Sequence, residues 1–380
     1  MKQMIISLTV IMILMTSCAT IQQENQQTFP PDVTAGIQTT MDSLTAVDTP
    51  TGMVVWIDTP GYRFEGASGS ADLKADIPIA PTGAFRIGSI TKMFTATVIL
   101  QLAEDEVLNL DDPLARWLPA VTEQLPNGDQ ITLRHLLTHT SGLFNIVENE
   151  SYYADLFAAV TMNEDTGAAE LACVQRDPHD TLTHYVYGKE ALFEPGTQWS
   201  YSNTNYTLLG MVIETATEKP LADVYRTFIY EPLGMTSTFL DCYEEAKVDV
   251  VHGYMGLGDT KTDVTDLHES IGWSAGGLVS TAPDLITFAR GLFGGALFDD
   301  PESLTAMTTP APGSSYGLGI SVREEMMGHA GGIAGFRSVL NYVPAFDTVI
   351  VMLYNNDAAD PEQNLAEVLK PAFSLLQETE

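Results

Sequence analysis

Ser89 and Lys92 stand three residues apart in the stretch Phe85 to Ala96, FRIGSITKMFTA. Side chains at that spacing share one face of a helix, so the lysine amine reaches the serine hydroxyl. Ser89 follows Gly88 and opens an apolar run through Met93, Phe94, Val98, Ile99, Leu100 and Leu102, which predicts a buried helix over Ser89 to Leu102. Burial disfavours the ammonium form, and a neutral lysine can take the serine proton. The free N–H groups at a helix start also favour the negative charge that develops in acyl transfer. A lone S-x-x-K arises by chance in many chains, so the reading needs partners.

Two further segments supply them. Tyr201, Ser202 and Asn203 lie in EPGTQWSYSNTNYTLLGMVIE, where a Pro-Gly turn precedes the triplet and an apolar helix follows it. A loop tip carried by that helix can bring a phenol and an amide into a cleft. His329, Ala330, Gly331 and Gly332 sit in GHAGGIAGF, just before an alternating run, Ser338 to Val343, that reads as a strand. Glycines there let a strand backbone approach a ligand closely.

Positioning these groups requires a scaffold. Met53 to Ile57 reads as a strand, the middle of the chain from roughly 92 to 255 as mainly helical, and strands return at Tyr316 to Val322, Ser338 to Val343 and Thr348 to Tyr354, before a helix from about Pro361 to Leu376. This order predicts a discontinuous α/β (α+β) domain. It has a mostly antiparallel sheet flanked by helices, an all-helical subdomain, and the nucleophile at their junction, where clefts form. The acidic stretch 147–190 is expected to loop over the cleft.

The ordered set FRIGSITK, LTHTSGL, YSN, PLGMTST, YGLG and GHAGG resembles the serine β-lactamase and penicillin-binding superfamily over roughly residues 45 to 360. The resemblance is to the branch that holds class C β-lactamases, D-alanyl-D-alanine carboxypeptidases, D-aminopeptidases and family VIII esterases. It implies acylation of Ser89, proton shuttling by Lys92 and Tyr201, and substrate binding by Asn203, His329, Gly331 and Gly332. The N–H groups of Ser89 and Gly332 would form the oxyanion hole. It implies no cofactor and no metal. It also implies a small-molecule or peptide substrate, of D-alanyl-D-alanine or other peptidoglycan-derived type, or a related amide or ester. A family VIII-type esterase, a weak β-lactamase and a penicillin-binding sensor without turnover are the alternatives. The third motif has Ala330 and Gly332 where the superfamily often has carboxylate-binding hydroxyls. Arg323, directly after the preceding YGLGISV segment, is a candidate substitute.

Rival chemistries occur in the same chain. Gly272 to Gly276, GWSAG, matches the G-x-S-x-G elbow, and Asp284 and His329 follow Ser274 in the order of a triad. An elbow needs a buried strand before it and a helix directly after. The segment SAGGLVSTAPDLITFARGL reads better as a turn whose Thr281 caps a helix beginning near Pro283. His135 and His139 are four apart, a spacing that can hold zinc, but HLLTH carries no acid and only two ligands are visible.

Composition bounds the rest. The 380 residues are 45% hydrophobic, enough for a large core, and 50 acidic against 17 basic side chains give a formal net charge of −33. That charge repels phosphate backbones and anionic lipids, so nucleic acid is not an expected partner. Lys2 precedes an apolar stretch from Met4 to Met15 that is too short to span a bilayer and ends at Thr16, Ser17, Cys18. This resembles a bacterial lipoprotein signal, with residues 1–17 removed and Cys18 lipidated. The expected organisation is therefore a signal over 1–17, a Gln- and Pro-rich tether over 18–34 and a catalytic domain over 35–380. The protein would be exported to the periplasm or cell surface and touch the membrane only through that anchor. In an exported protein Cys173 and Cys242 are expected to pair.

Overall fold

The computed structural model describes residues 26–47, 51–162, 169–170, 173–257, 260–323, 325–372 and 375. Residues 1–17 and Cys18 lie outside the described residues.

The main sheet is built from β1 (Gly52–Asp58), β2 (Tyr62–Asp72), β3 (Met327–Ile333), β4 (Phe336–Val343) and β5 (Thr348–Tyr354). Across the sheet the order is Gln27–Thr28, β2, β1, β5, β4, β3 and Ser321–Val322. Only the first pairing, Gln27–Thr28 with β2, is parallel in this series. β1 (GMVVWID) and β5 (TVIVMLY) are buried along their whole length. They are near-continuous apolar runs because both faces of the sheet are covered.

Helices α1 (Pro31–Val47) and α5 (Pro361–Leu369) cover one face. Ile37, Met41, Leu365 and Val368 pack there on Val55, Ile57, Ile350 and Met352. The opposite face meets α4 (Ala282–Phe293), whose Leu285 and Phe288 join Val54, Val351 and Leu353 in the larger core. Behind α4 lies the helical region, centred on α2 (Thr91–Glu104) and α3 (Asn203–Thr217). Every residue of α2 from Thr91 to Leu100 is buried, so this helix is enclosed on all sides. Phe94 of α2 stacks on Phe288 of α4 at 3.8 Å and joins the helical region to the sheet.

The architecture is the mostly antiparallel sheet with helices that the element order predicts, and its local details differ. The strand Tyr62–Asp72 has glycines and alternating small residues in place of an apolar signal. A small second sheet of Ala84–Arg86, Leu278–Thr281 and Phe239–Leu240 feeds directly into Ser89. Tyr316 to Val322 is mostly turn, with strand only at Ser321–Val322. The region expected as a loop over the cleft contains the helix Glu150–Ala159. The tether expected over 18–34 ends sooner. Phe29 is buried, Gln27–Thr28 pairs with Tyr62 and Arg63, and Pro31 opens α1, a favoured place for proline.

Cys173, at the edge of the cover over the cleft, is joined to Cys242 in a disulfide with Cα atoms 5.2 Å apart. In denaturant without reductant, alkylation is expected to label neither cysteine. Modification of both thiols before reduction would remove the bridge.

Candidate active site

Ser89 lies in a 3-10 turn, Gly88–Ile90, that leads straight into α2. Gly88 has φ +51°, and a Cβ there would stand 2.7 Å from the Gly332 nitrogen. Only glycine lets the nucleophile turn and β3 meet at this distance. Gly331 is equally constrained, since its Cβ would fall 2.0 Å from the Ile87 carbonyl oxygen. The Ser338 hydroxyl of β4 donates to that same carbonyl at 2.8 Å, which pins the turn to the sheet.

Gly332 pairs with Arg337, next to the two-residue turn between Ile333 and Phe336. Bonded and non-bonded pairs alternate along an antiparallel ladder, and the pair flanking a two-residue turn is the bonded one. The Gly332 N–H therefore points away from β4, toward the Ser89 turn. The Gly332 N–H is thus a backbone donor available beside Ser89 for a developing oxyanion.

Lys92 is fully buried, and its Nζ has three polar neighbours: Ser89 Oγ at 2.9 Å, Asn203 Oδ1 at 2.8 Å and the Ala275 carbonyl at 2.6 Å. The orientation of the Asn203 amide follows from its own partners. Asn145 Oδ1 accepts from both the Asn203 N–H, at 3.0 Å, and Nδ2, at 3.2 Å, so Oδ1 faces the lysine. Burial holds the Lys92 amine well below its ordinary pKa of 10.5. A neutral amine has two N–H bonds and one lone pair. The amide oxygen and the carbonyl can only accept, so they take the two N–H bonds, and the lone pair faces the Ser89 hydroxyl.

Tyr201 donates to Ser89 Oγ at 2.8 Å. Burial pushes its phenol above the ordinary tyrosine value, with the bond to Ser89 acting the other way. Lys92 Nζ stands over the Tyr201 ring, 4.9 Å from its centroid. Tyr201 is therefore placed as a neutral proton donor to the serine oxygen, with the Lys92 amine as the neighbouring acceptor. His139, from LTHTSGL, packs its ring 4.4 Å from the Tyr201 ring and accepts from the Ser202 N–H and Asn205 Nδ2 at 3.2 Å each through Nδ1. Burial, with Lys92 and His329 nearby, lowers its pKa, so it stays neutral and positions the tyrosine loop.

A cavity of about 310 Å³ opens beside Ser89, Asn203 and Gly332 and is walled by Ile146, Tyr152 and Leu156 among others. Ser89 is half-buried at its mouth.

Comparison with known proteins now decides the family. The Beta-lactamase family model matches residues 35–371. The chain belongs to the β-lactamase family. It is 30% identical over 312 residues to the penicillin-binding protein PbpX of Bacillus subtilis, covering 82% of this chain and 71% of that one. A D-stereospecific amidohydrolase from Streptomyces sp. superposes with TM-score 0.75 at 31% identity, over 89% of this chain and 98% of that one. The D-amino acid amidase of Ochrobactrum anthropi SV3 gives TM-score 0.74 at 28% identity, over 90% and 99%.

Within this serine hydrolase, Ser89, Lys92, Tyr201, Asn203 and Gly332 come together. His329 and Gly331 do not reach the cavity. Side chains alternate along β3, so the face that presses Gly331 on Ile87 also buries His329. There His329 Nε2 meets the Tyr316 hydroxyl at 2.8 Å, and Nδ1 donates to the Ala330 carbonyl at 2.5 Å. Burial and the nearby lysine hold its pKa down at about 3, so it is a neutral support behind Tyr201. Arg323 is exposed and bonded to Glu362 at 2.9 Å, away from the cavity. The arginine that does line the cavity is Arg337, which the sequence reading missed. The Ala-Gly turn after GHAGGI was its signal, because folding back there sets residue 337 opposite 332.

The rival constellations come apart. Ser274 is fully buried and donates to the Tyr206 carbonyl at 2.8 Å, and Asp284 holds Ser237 and Thr238. Thr281 caps α4 by accepting from the Asp284 N–H at 3.3 Å. His135 is engaged in a capping box with Thr132, apart from His139.

Ser89→Ala is expected to abolish turnover while Ser274→Ala spares it; the opposite pattern would overturn the assignment. Lys92→Ala should cost about 10²-fold or more in kcat, as for loss of a general base. Lowering the pH protonates Lys92 and removes the lone pair, so wild-type kcat/KM should fall on the acid side with an apparent pKa below 10.5. A rate that rises steadily as pH drops would contradict Lys92 as the base.

Proposed function

We propose that this enzyme hydrolyses amides and short peptides of D-amino acids through an acyl-enzyme on Ser89. The observation that carries the reading is the Lys92 lone pair aimed at Ser89 Oγ beside a cavity able to hold a small acyl group. Ser89 Oγ passes its proton to Lys92 Nζ and attacks the scissile carbonyl. The new oxyanion sits on the N–H groups of Ser89 and Gly332. The Tyr201 hydroxyl, 2.8 Å from Oγ, protonates the leaving nitrogen, and the Lys92 ammonium balances the phenolate. Water then repeats the sequence in reverse to free the acid. The named activities of the Streptomyces and Ochrobactrum relatives, both matched almost end to end, support the D-amino-acid choice.

The expected result is faster hydrolysis of D-alanine and D-phenylalanine amides than of their L-enantiomers. Intact-mass measurement with a penicillin should show an adduct that requires Ser89. An adduct that persists while no D-amide is cleaved would convert the reading to a penicillin-recognising sensor.

We also infer export and lipid attachment at Cys18, supported by the leader-like residues 1–17 and by a disulfide that belongs in an oxidising compartment. Cys18→Ser should move the protein from the membrane to the soluble fraction of an expressing bacterium. An unchanged distribution would remove the anchor.

A further inference from the structure

The wall of the cavity carries charges of both signs that the hydrolytic chemistry does not use. Arg337 stands directly across the ladder from Gly332, and a Cβ on Gly332 would meet its Nη1 at 3.1 Å and its Cζ at 3.4 Å. The guanidinium therefore covers the residue that supplies one oxyanion donor. Its hydrogen bonds among the described residues run to backbone carbonyls, Phe336 at 3.0 Å and Ile333 at 3.5 Å, through Nη1 alone. Among the described residues no carboxylate lies within 4.0 Å of it.

Glu269 lines the same cavity. Its Oε1 accepts from the Ala334 N–H at 2.8 Å, two residues beyond Gly332. That partner is neutral. Burial raises its pKa, against the pull of the Ala334 N–H and, at longer range, of Arg86 and Arg337. Arg86 is committed elsewhere, to Asp241 at 2.9 Å and to His268 at 3.0 Å. Asp357, also on the cavity wall, accepts from the Gly256 N–H at 3.3 Å. A carboxylate and a guanidinium that face one cavity, without forming an ion pair with each other, complement a ligand with one charge of each sign.

We propose that Glu269 and Arg337 form a bipolar recognition site, Glu269 taking the ammonium and Arg337 the carboxylate of an uncapped, zwitterionic D-peptide. This rests on the reading of Ser89 as a D-peptide hydrolase and narrows its substrate class. It also gives a free carboxylate a partner although Ala330 and Gly332 lack the hydroxyls of the third motif, and that partner is not Arg323, which is bonded to Glu362. The role of hydroxyls in the third motif passes to an arginine one strand over.

The test uses four forms of D-alanyl-D-alanine: uncapped, N-acetylated, C-amidated, and capped at both ends. For the wild type, kcat/KM should be highest for the uncapped form, with each cap costing roughly tenfold or more, the scale of one hydrogen bond to a charged group. Glu269→Gln should collapse the ratio between free and acetylated amines while keeping the ratio for the carboxyl end. Arg337→Gln should do the converse, and Arg337→Lys should restore part of the carboxylate preference. If either variant lowers all four substrates in the same proportion, that residue only braces the hairpin or the cover, and the proposal fails. A thermal unfolding midpoint far below that of the wild type would mark misfolding of a variant, and Arg337→Lys and the carboxylate-retaining Glu269→Asp would then carry the comparison. A wild type that cleaves all four equally overturns charge recognition and leaves the serine chemistry standing. A wild type that forms the adduct and cleaves none of the four overturns both.

Discussion

Everything in this site follows from keeping one lysine dry. Lys92 is enclosed on a helix with no exposed face over its first turns, and among the described residues no carboxylate compensates its charge. Burying an ammonium without an anion costs far more than burying an amine, so the group gives up its proton. The same three neighbours then orient the neutral amine. Two of them are obligate acceptors, and the third is the nucleophile. Desolvation therefore supplies the base, and hydrogen-bond valence aims it.

That arrangement explains why Asn203 and Ala275 matter although neither reacts. Asn145 fixes the Asn203 amide so that its oxygen faces Lys92, and the α3 start carries Asn203 into the cleft. The Ala275 carbonyl comes from the short GWSAG helix, which is why a segment that imitates a nucleophile elbow is packed so tightly. The Ser274 hydroxyl is tied to Tyr206, and a Cβ on Gly210 would lie 2.3 Å from it. The serine that looks catalytic in sequence is there to set the carbonyl of its neighbour.

How much of this was legible beforehand depended on distance along the chain. Ser89 and Lys92 are local and could be paired from helical spacing alone. Strands with continuous apolar runs, such as Thr348–Tyr354, announced themselves, whereas Tyr62–Asp72 is polar and Gly-rich and was silent. Tyr201 and Asn203 entered through motif order, and their contacts depend on α3 crossing α2, which no local pattern encodes. His329 was misplaced because its motif suggested a ligand, while strand alternation decides which of four consecutive residues faces the cavity. Arg337 was missed for the complementary reason, since its position depends on a hairpin register that becomes visible only once the turn at Ala334 and Gly335 is known.

The cavity shows how an acidic protein can still choose its ligand by charge. A net charge of −33 sets a long-range field that salt screens over about 10 Å at ordinary ionic strength, so it says little about an enclosed wall. Inside the cavity only nearby groups matter, and there Arg337 shares the wall with Glu269 and Asp357. The dominant charge of the surface and the placement of individual charges in the pocket are separate features. One keeps the molecule solvated, and the other leaves Lys92 with only Ser89, Asn203 and the Ala275 carbonyl as its hydrogen-bond partners among the described residues.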